Sequence, residues 1–445
     1  MTTVDLLIHP HWIIPVEPED LIYDQHALVI HNGRILDILP VTQVAARYQA
    51  RQIVELPAHA VIPGFINAHT HASMSLLRGK ADDLSLQPWL QQHIWPYENR
   101  WMSPEFVRDG SELAIAEMLR SGTTCFNDMY FFPEVTAEAV RNSGMRACIG
   151  MIVVDFPSAW GSGPQEYIAK SIALRDQYKD DPLLSFAFAP HAPYSVAENW
   201  LKEVRTLADE LDVPVQIHLH ETVDEIENSL RQHGKRPLAR LAELGLLTPN
   251  LMAVHMTQLL DAEINELADQ GTHVIHCPES NLKLASGFCP VAKLLAAGVN
   301  VAIGTDSAAS NNDLDMIGEM HSAALLAKGV SGDAAALPAT TVLRMATLNG
   351  ARALGIDRET GSLLPGKWAD ITAVDLSEPA CQPLYNPSSQ LVYATCRGQV
   401  SDVWVAGQHL LRARELTHID LGNLMARVQH WRDRIATPLT EGKQA

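Results

Sequence analysis

Residues Pro63 to Leu84 read PGFINAHTHASMSLLRGKADDL and set two histidines, His69 and His71, one residue apart after an apolar run. Side chains at i and i+2 of a β-strand share a face, so both imidazoles can converge on one point. Convergence of that kind is what a divalent metal requires. Chance is the competing explanation, because the chain holds 19 histidines and the same spacing recurs at His218 and His220. Residues of the same chemistry, however, close several other apolar runs. His191 follows LSFAFAP, His218-Leu-His220-Glu221 ends VPVQIHLHE, and His255 ends LMAVH. His273 and His276 sit in THVIHCP, and Asp306 ends VNVAIGTD.

The elements that must position these groups follow from the same runs. Between about residues 61 and 310 there are eight strand-like stretches: VIPGFINAH, TTCFND, RACIGMIVV, LSFAFAP, VPVQIHLH, LMAVH, THVIHCP and VNVAIGTD. Amphipathic segments separate them. In SPEFVRDGSELAIAEMLRSG, Ser103 suits an N-cap, Pro104 the first turn and Gly122 the stop. In ENWLKEVRTLADEL, Trp200, Val204, Leu207 and Leu211 fall on one helix face. Eight strand–helix alternations predict a parallel sheet closed as an α/β barrel of the (β/α)8 type. A doubly wound sheet would need a glycine-rich turn after its first strand, and the sequence has none. Active sites of such barrels lie at the C-terminal ends of the strands, where six of these runs carry histidine or carboxylate. Core packing does not explain that alignment; a metal site does.

The ends differ from the middle. Residues 1–60 and 361–415 contain short β-like runs separated by turn residues such as Asn32-Gly33, and neither is long enough for a separate domain. The expectation is a composite β-sandwich, 1–60 together with 361–445, with the metal-dependent catalytic barrel, 61–360, inserted between; the last stretch reads as a polar helix.

Composition narrows the function. Hydrophobic residues make up 47%, ample for a large core, and the formal net charge of −19 argues against nucleic-acid and anionic-membrane partners. The six cysteines are scattered without a C-x-x-C pair, which suits reduced, buried thiols. The start MTTVDLLIHPHW lacks a basic leader and no apolar run approaches membrane-spanning length, so a cytoplasmic protein is expected.

Taken in order, PGFINAHTHASMSLLRG with ADDLSLQPWLQQHIWPYE, then APHAPYS, HLHET, AVH, HCPESN, GTDSAASNNDLDM and GKWADI resemble the amidohydrolase superfamily, most closely its methylthioadenosine/S-adenosylhomocysteine deaminases. The likeness covers essentially the whole chain. It implies one catalytic metal per chain, usually zinc, with iron or manganese suiting the same ligands, held by His69, His71, His218 and Asp306. His220 is a geometric rival to His218, but the family's glutamate stands three residues after its ligand, and Glu221 fits only His218. The resemblance further implies a zinc-activated water attacking carbon 6 of an adenine ring. Glu221 would carry a proton to the ring nitrogen, Asp306 would relay one to the departing amine, and His255 would stabilise developing charge. Glu98 would hold the ribose hydroxyls and His191 would line the nucleoside pocket. A small-molecule nucleoside partner and a homo-oligomeric state are implied as well.

Several relatives by chemistry are disfavoured. Binuclear hydrolases need a carboxylated lysine at the end of strand 4, and LSFAFAPHA has no lysine. The cytidine-deaminase-type zinc fold needs P-C-x-x-C, which is absent. Guanine deaminases and triazine hydrolases share the barrel and remain alternatives, and a non-catalytic scaffold-type member is disfavoured by the complete ligand set. Between strands 3 and 4, MIVVDFPSAWGSGPQEY contains no arginine or lysine, whereas some relatives hold the S-adenosylhomocysteine carboxylate there with arginines. Phe156, Pro157 and Trp160 suit an apolar thioether tail instead, with Trp160 expected against substrate; Lys170 and Arg175 read as surface-helix residues. The expected order is methylthioadenosine, then adenosine, then S-adenosylhomocysteine, unless a cation such as Arg78 arrives from another loop.

Overall fold

The computed structural model describes residues 1–436. Eight parallel strands form one sheet in chain order: Phe65–Thr70, Thr123–Asp128, Arg146–Val153, Leu184–Pro190, Val215–Leu219, Leu251–His255, His273–His276 and Val301–Ile303. Nearly every residue in them is buried, because helices cover the outer face while side chains fill the interior. A parallel bridge between Thr70 and Asp306 brings the eighth strand's end back to the first. The barrel therefore closes through the segment that carries His69, whose carbonyl accepts from the Asp306 N–H at 3.0 Å.

The helices follow the expected signals. Pro104–Arg120 starts at Ser103, whose hydroxyl accepts from the Phe106 N–H at 3.2 Å. Glu198–Leu211 buries Leu201, Val204 and Ala208, with Trp200, Leu207 and Leu211 half-buried beside them. Between barrel strands 1 and 2 a continuous helical lid runs from Leu86 to Trp101, with a widened π-turn at Leu90–Ile94. Such turns occur often at functional sites.

The second sheet is mixed and nine-stranded, and both chain ends build it. The N-terminal strand Thr2–Ile13 runs parallel to Tyr48–Pro63, which pairs antiparallel with Ile371–Asp375 from the far end of the sequence. Leu6, Ile8, Leu28, Ile30, Ile371 and Trp404 fill the core on one face of this sheet. Val61 and Ile62 pair with Ala373 and Thr372 in it, so VIPGFINAH is not one strand. The break is Gly64: a Cβ there would lie 2.1 Å from Thr124 Cγ2, and no side chain fits where the chain passes from sheet to barrel. The C-terminal helix Leu421–Ala436 is amphipathic rather than simply polar, burying Leu424, Trp431 and Ile435. Residues 437–445, part of the expected composite domain, lie outside the described residues. Among the described residues, no helix is long and apolar enough to cross a membrane. The six cysteines are free, and Cys396 alone among them is exposed.

Candidate functional site

At the C-terminal end of the barrel, one ligand atom from each of His69, His71, His218 and Asp306 lies within 4.8 Å of the others. Strand 1 supplies His69, the residue just past its end is His71, strand 5 supplies His218, and the turn after strand 8 supplies Asp306. The Nε2 atoms of His69 and His218 are 3.1 Å apart, and Asp306 Oδ1 is 3.5 Å from His69 Nε2 and 3.2 Å from His71 Nε2. Tetrahedral zinc with bonds near 2.0–2.1 Å separates its ligand atoms by about 3.3 Å.

The tautomers fit a metal as well. His71 Nδ1–H donates to the Met129 carbonyl at 2.6 Å, and His218 Nδ1–H donates to the His191 carbonyl at 2.7 Å. Gln216 Nε2 donates to the Asp128 carbonyl at 2.8 Å, which turns Gln216 Oε1 towards His69 Nδ1 at 3.3 Å. Each ring thus has its Nδ1 occupied as a donor, and a neutral imidazole then carries its lone pair on Nε2. Three lone pairs and a carboxylate oxygen converge in a buried space. Without a cation such an arrangement is repulsive; one divalent metal fits it. Burial keeps the imidazoles neutral, pulling His69 down to about 4 and His218 well below the usual range. His71 is the exception, since Asp306 outweighs burial and raises it.

The surrounding backbone is unusually constrained. His220, His255, Met256 and Asp306 all have left-handed φ, at 50°, 78°, 50° and 61°. Non-glycine residues take that conformation only where surroundings enforce it, and such residues gather at functional sites. At His220 this ends the strand geometry, so the i, i+2 rule no longer aims its ring with that of His218. His220 Nε2 instead accepts from the Leu238 N–H at 3.0 Å, away from the cluster.

A cavity of about 730 Å³, counting the space open at its mouth, rises from the cluster and takes in His71, His218 and Asp306. Glu221, His255, His191 and Glu98 also line it, with Trp89, Leu90, Ile94 and Trp95 of the lid and Phe156 opposite. Burial pushes the Glu221 carboxyl up to about 8 and the Glu98 carboxyl up to about 7. Glu221 Oε2 is 3.7 Å from His255 Nε2, and His255 Nδ1 pairs with Asn281 Oδ1 at 2.9 Å. His191 Nδ1 pairs with Ser195 Oγ at 2.8 Å, leaving its other edge to the cavity. Among the described residues, no lysine or arginine lines this cavity.

Trp160 departs from expectation. Its ring stacks on Tyr167 at 5.4 Å, its Nε1–H donates to Glu134 at 3.1 Å, and it does not line the cavity. The indole N–H sought a partner and turned the ring inward. Tyr167 in turn donates to the Phe156 carbonyl at 2.9 Å, so Trp160 props the loop that presents Phe156. The nearby cations are engaged elsewhere: Arg78 with Glu117 and the Asn312 carbonyl, Lys170 with Glu166, Arg175 with the Leu211 carbonyl. Sequence reasoning missed Gln216, although it shares a strand face with His218, and Trp95 and Trp89, whose lid has no strand register to betray its inner face. Ser280, Asn281 and Ser310 lay inside quoted motifs without a role.

Residues 60–410 match the model of the Amidohydrolase family. A protein of Teredinibacter turnerae named 5-methylthioadenosine/S-adenosylhomocysteine deaminase is 51% identical over 434 residues, 98% of each chain. The crystal structure of an adenosine deaminase from Xanthomonas campestris with bound zinc superposes with a TM-score of 0.97 at 53% identity, covering 98% of this chain and 99% of that one. Atrazine chlorohydrolase from Arthrobacter aurescens, with zinc, shares the fold at a TM-score of 0.89 and 22% identity, over 96% and 99% of the chains. The chain therefore belongs to the amidohydrolase family, among the methylthioadenosine/S-adenosylhomocysteine deaminases, as a hydrolytic deaminase acting on a carbon–nitrogen bond.

Proposed function

We propose that this deaminase converts 5′-methylthioadenosine, and more weakly adenosine and S-adenosylhomocysteine, to the inosine analogue and ammonia. One zinc per chain would be held by His69, His71, His218 and Asp306, with iron or manganese suiting the same donors. The convergence of three Nε2 lone pairs and Asp306 Oδ1 on one point supports the metal most directly. A divalent metal at that point supplies Lewis acidity that makes water nucleophilic near neutral pH. The protein's own groups do the rest. Glu221, buried and protonated at neutral pH, gives its proton to the ring nitrogen beside the reacting carbon and recovers one from the added hydroxyl as the carbonyl forms. Asp306 takes the water's proton at its carboxylate and delivers it to the leaving amino group. His255, on the same wall as Glu221, steadies the charge that develops. Glu98 binds the ribose hydroxyls from the lid, and His191 orients the nucleoside from the opposite side. The lid's tryptophans exclude water from the ring.

The substrate order rests on the cavity wall. Trp95 and Phe156, with ring centroids 6.4 Å apart, flank the region where a 5′ substituent would emerge, and no described cation lines it. A methylthio group finds apolar surface there; an amino-acid carboxylate finds no partner and would be desolvated at a cost. The test is kcat/KM for the three nucleosides at one salt concentration, with guanine as a further arm for the other deaminase chemistry of this fold. We expect methylthioadenosine first and S-adenosylhomocysteine last. S-adenosylhomocysteine equalling methylthioadenosine would overturn the order and send the search to a subunit boundary of the homo-oligomer. A cytoplasmic location agrees with free, mostly buried cysteines.

A further inference from the structure

Each imidazole of the cluster is oriented through its far nitrogen by an acceptor. Asp306 needs the opposite: its two oxygens are alike, and nothing in the carboxylate itself decides which one faces the cluster or whether both do. Its backbone is fixed, with the N–H donating to the His69 carbonyl at 3.0 Å and φ at 61°. Its Oδ1 faces His69 and His71. Its Oδ2 turns away and meets two hydroxyls, Ser280 Oγ at 2.6 Å and Ser310 Oγ at 2.9 Å. Ser280 lies in the helix Pro278–Lys283 after strand 7, and Ser310 in the turn after strand 8. Both are at most 1% exposed. A hydroxyl has a single proton, and a carboxylate oxygen only accepts, so both protons can be directed to Oδ2. Ser310 is set in turn by Ser307, whose Oγ lies 3.0 Å from Ser310 Oγ and accepts from its N–H.

We infer that Ser280 and Ser310 are positioning residues that occupy Asp306 Oδ2 and leave Oδ1 alone to engage the metal. The inference rests on the metal reading given above. Two donors from two different elements hold the carboxylate plane against rotation. Oδ2 cannot swing round to chelate without abandoning two charge-assisted hydrogen bonds inside a dry site. One carboxylate oxygen beside three imidazoles makes four protein ligands, and a second oxygen would take the further position that a water needs. Outer partners of this kind are ordinary for metal-ligating residues, and their loss costs roughly 10–100-fold in metal affinity.

The test uses the full-length enzyme and the variants Ser280→Ala, Ser310→Ala and, as a comparison, Ser171→Ala, which removes an equally buried hydroxyl on the helix Pro164–Tyr178 that bonds neither Asp306 nor the two serines. Two readouts are taken: metal loss to a chelator, and the visible spectrum of the cobalt-substituted protein, which reports coordination number. Ser280→Ala and Ser310→Ala are expected to weaken metal retention by roughly 10–100-fold and to lower the intensity of the cobalt bands as Oδ2 joins the coordination. Ser171→Ala should stay close to the unmutated protein, and the metal-free thermal midpoints of all three should be similar. If the three variants behave alike in retention and spectrum, the serines are merely structural and the inference is wrong. If the unmutated protein holds no stoichiometric metal by elemental analysis, the metal reading itself fails and this inference with it.

Discussion

Glu221 stands three residues beyond His218, on the cavity wall but outside the ligand set, and burial raises it to about 8. A residue that only moves protons can be silenced without emptying the site. Glu221→Gln keeps size and hydrogen-bonding capacity yet cannot give up and retrieve a proton. We expect kcat to fall about 10²- to 10⁴-fold with metal content unchanged, read by steady-state kinetics and elemental analysis. A near-normal kcat would reject the proton-transfer role. His69→Ala and Asp306→Asn should behave differently, dropping metal from one per chain to near zero with loss of activity while circular dichroism still reports a folded barrel. Two metals per chain in fully active protein would contradict a single site. The four residues that cluster, His69, His71, His218 and Asp306, were legible as a group in the sequence because strand periodicity and motif order both point to them. The choice between His218 and His220 was not settled by periodicity, since it depends on a left-handed φ of 50° at His220. Trp160 was misread for a similar reason: the composition of a loop does not say where its one N–H donor will find an acceptor.

The elements themselves were largely readable. Parallel strands covered on both faces appear as unbroken apolar runs, and seven of the eight runs coincide with a barrel strand to within a few residues. The first did not, because sheet and barrel strands are both apolar and only Gly64 marks the change. The π-turn of the lid was hidden, since local sequence does not choose between i+4 and i+5 pairing. Strand 8 shows how elements serve the site. Gly304 follows it directly, and a Cβ there would lie 2.8 Å from His69 N and 3.0 Å from His69 O. These are backbone atoms and cannot step aside cheaply. Gly304→Ala should therefore push strand 1 and strand 8 apart at the ligands. We expect about 1–3 kcal/mol of destabilisation in urea unfolding, as for other overpacked sites, together with accelerated metal loss. Unchanged metal retention would show that the barrel seam tolerates the shift and does not set the ligand geometry.

At the scale of the whole molecule, a buried ion pair helps to fasten the barrel to the two-ended sheet. Arg146 opens barrel strand 3, and Asp370 closes the segment GKWAD before the strand Ile371–Asp375. Arg146 Nε and Nη2 donate to the two Asp370 oxygens at 2.8 and 3.3 Å. The same carboxylate accepts from Thr360 Oγ1 at 2.8 Å and from the Ala406 N–H at 2.7 Å, so barrel strand 3, the segment at Thr360 and the turn after Val400–Val405 meet at Asp370. The side chains are 7% and 1% exposed, which removes solvent screening but also removes hydration. A buried pair is weak evidence of net stability, because desolvation opposes attraction; removing one partner is another matter, since the other charge is left alone in a dry place. Asp370→Ala should therefore destabilise by about 3–5 kcal/mol in urea unfolding, whereas Arg146→Met combined with Asp370→Leu should recover much of that loss. The comparison of single and double variants separates an unpaired charge from a lost attraction. Because the pair lies at the strand starts, opposite the catalytic end, kcat measured well below the unfolding midpoint should be nearly unchanged in the double variant. Were kcat to collapse there while the fold persisted, the sheet would have to be positioning the site through the barrel and not merely capping it.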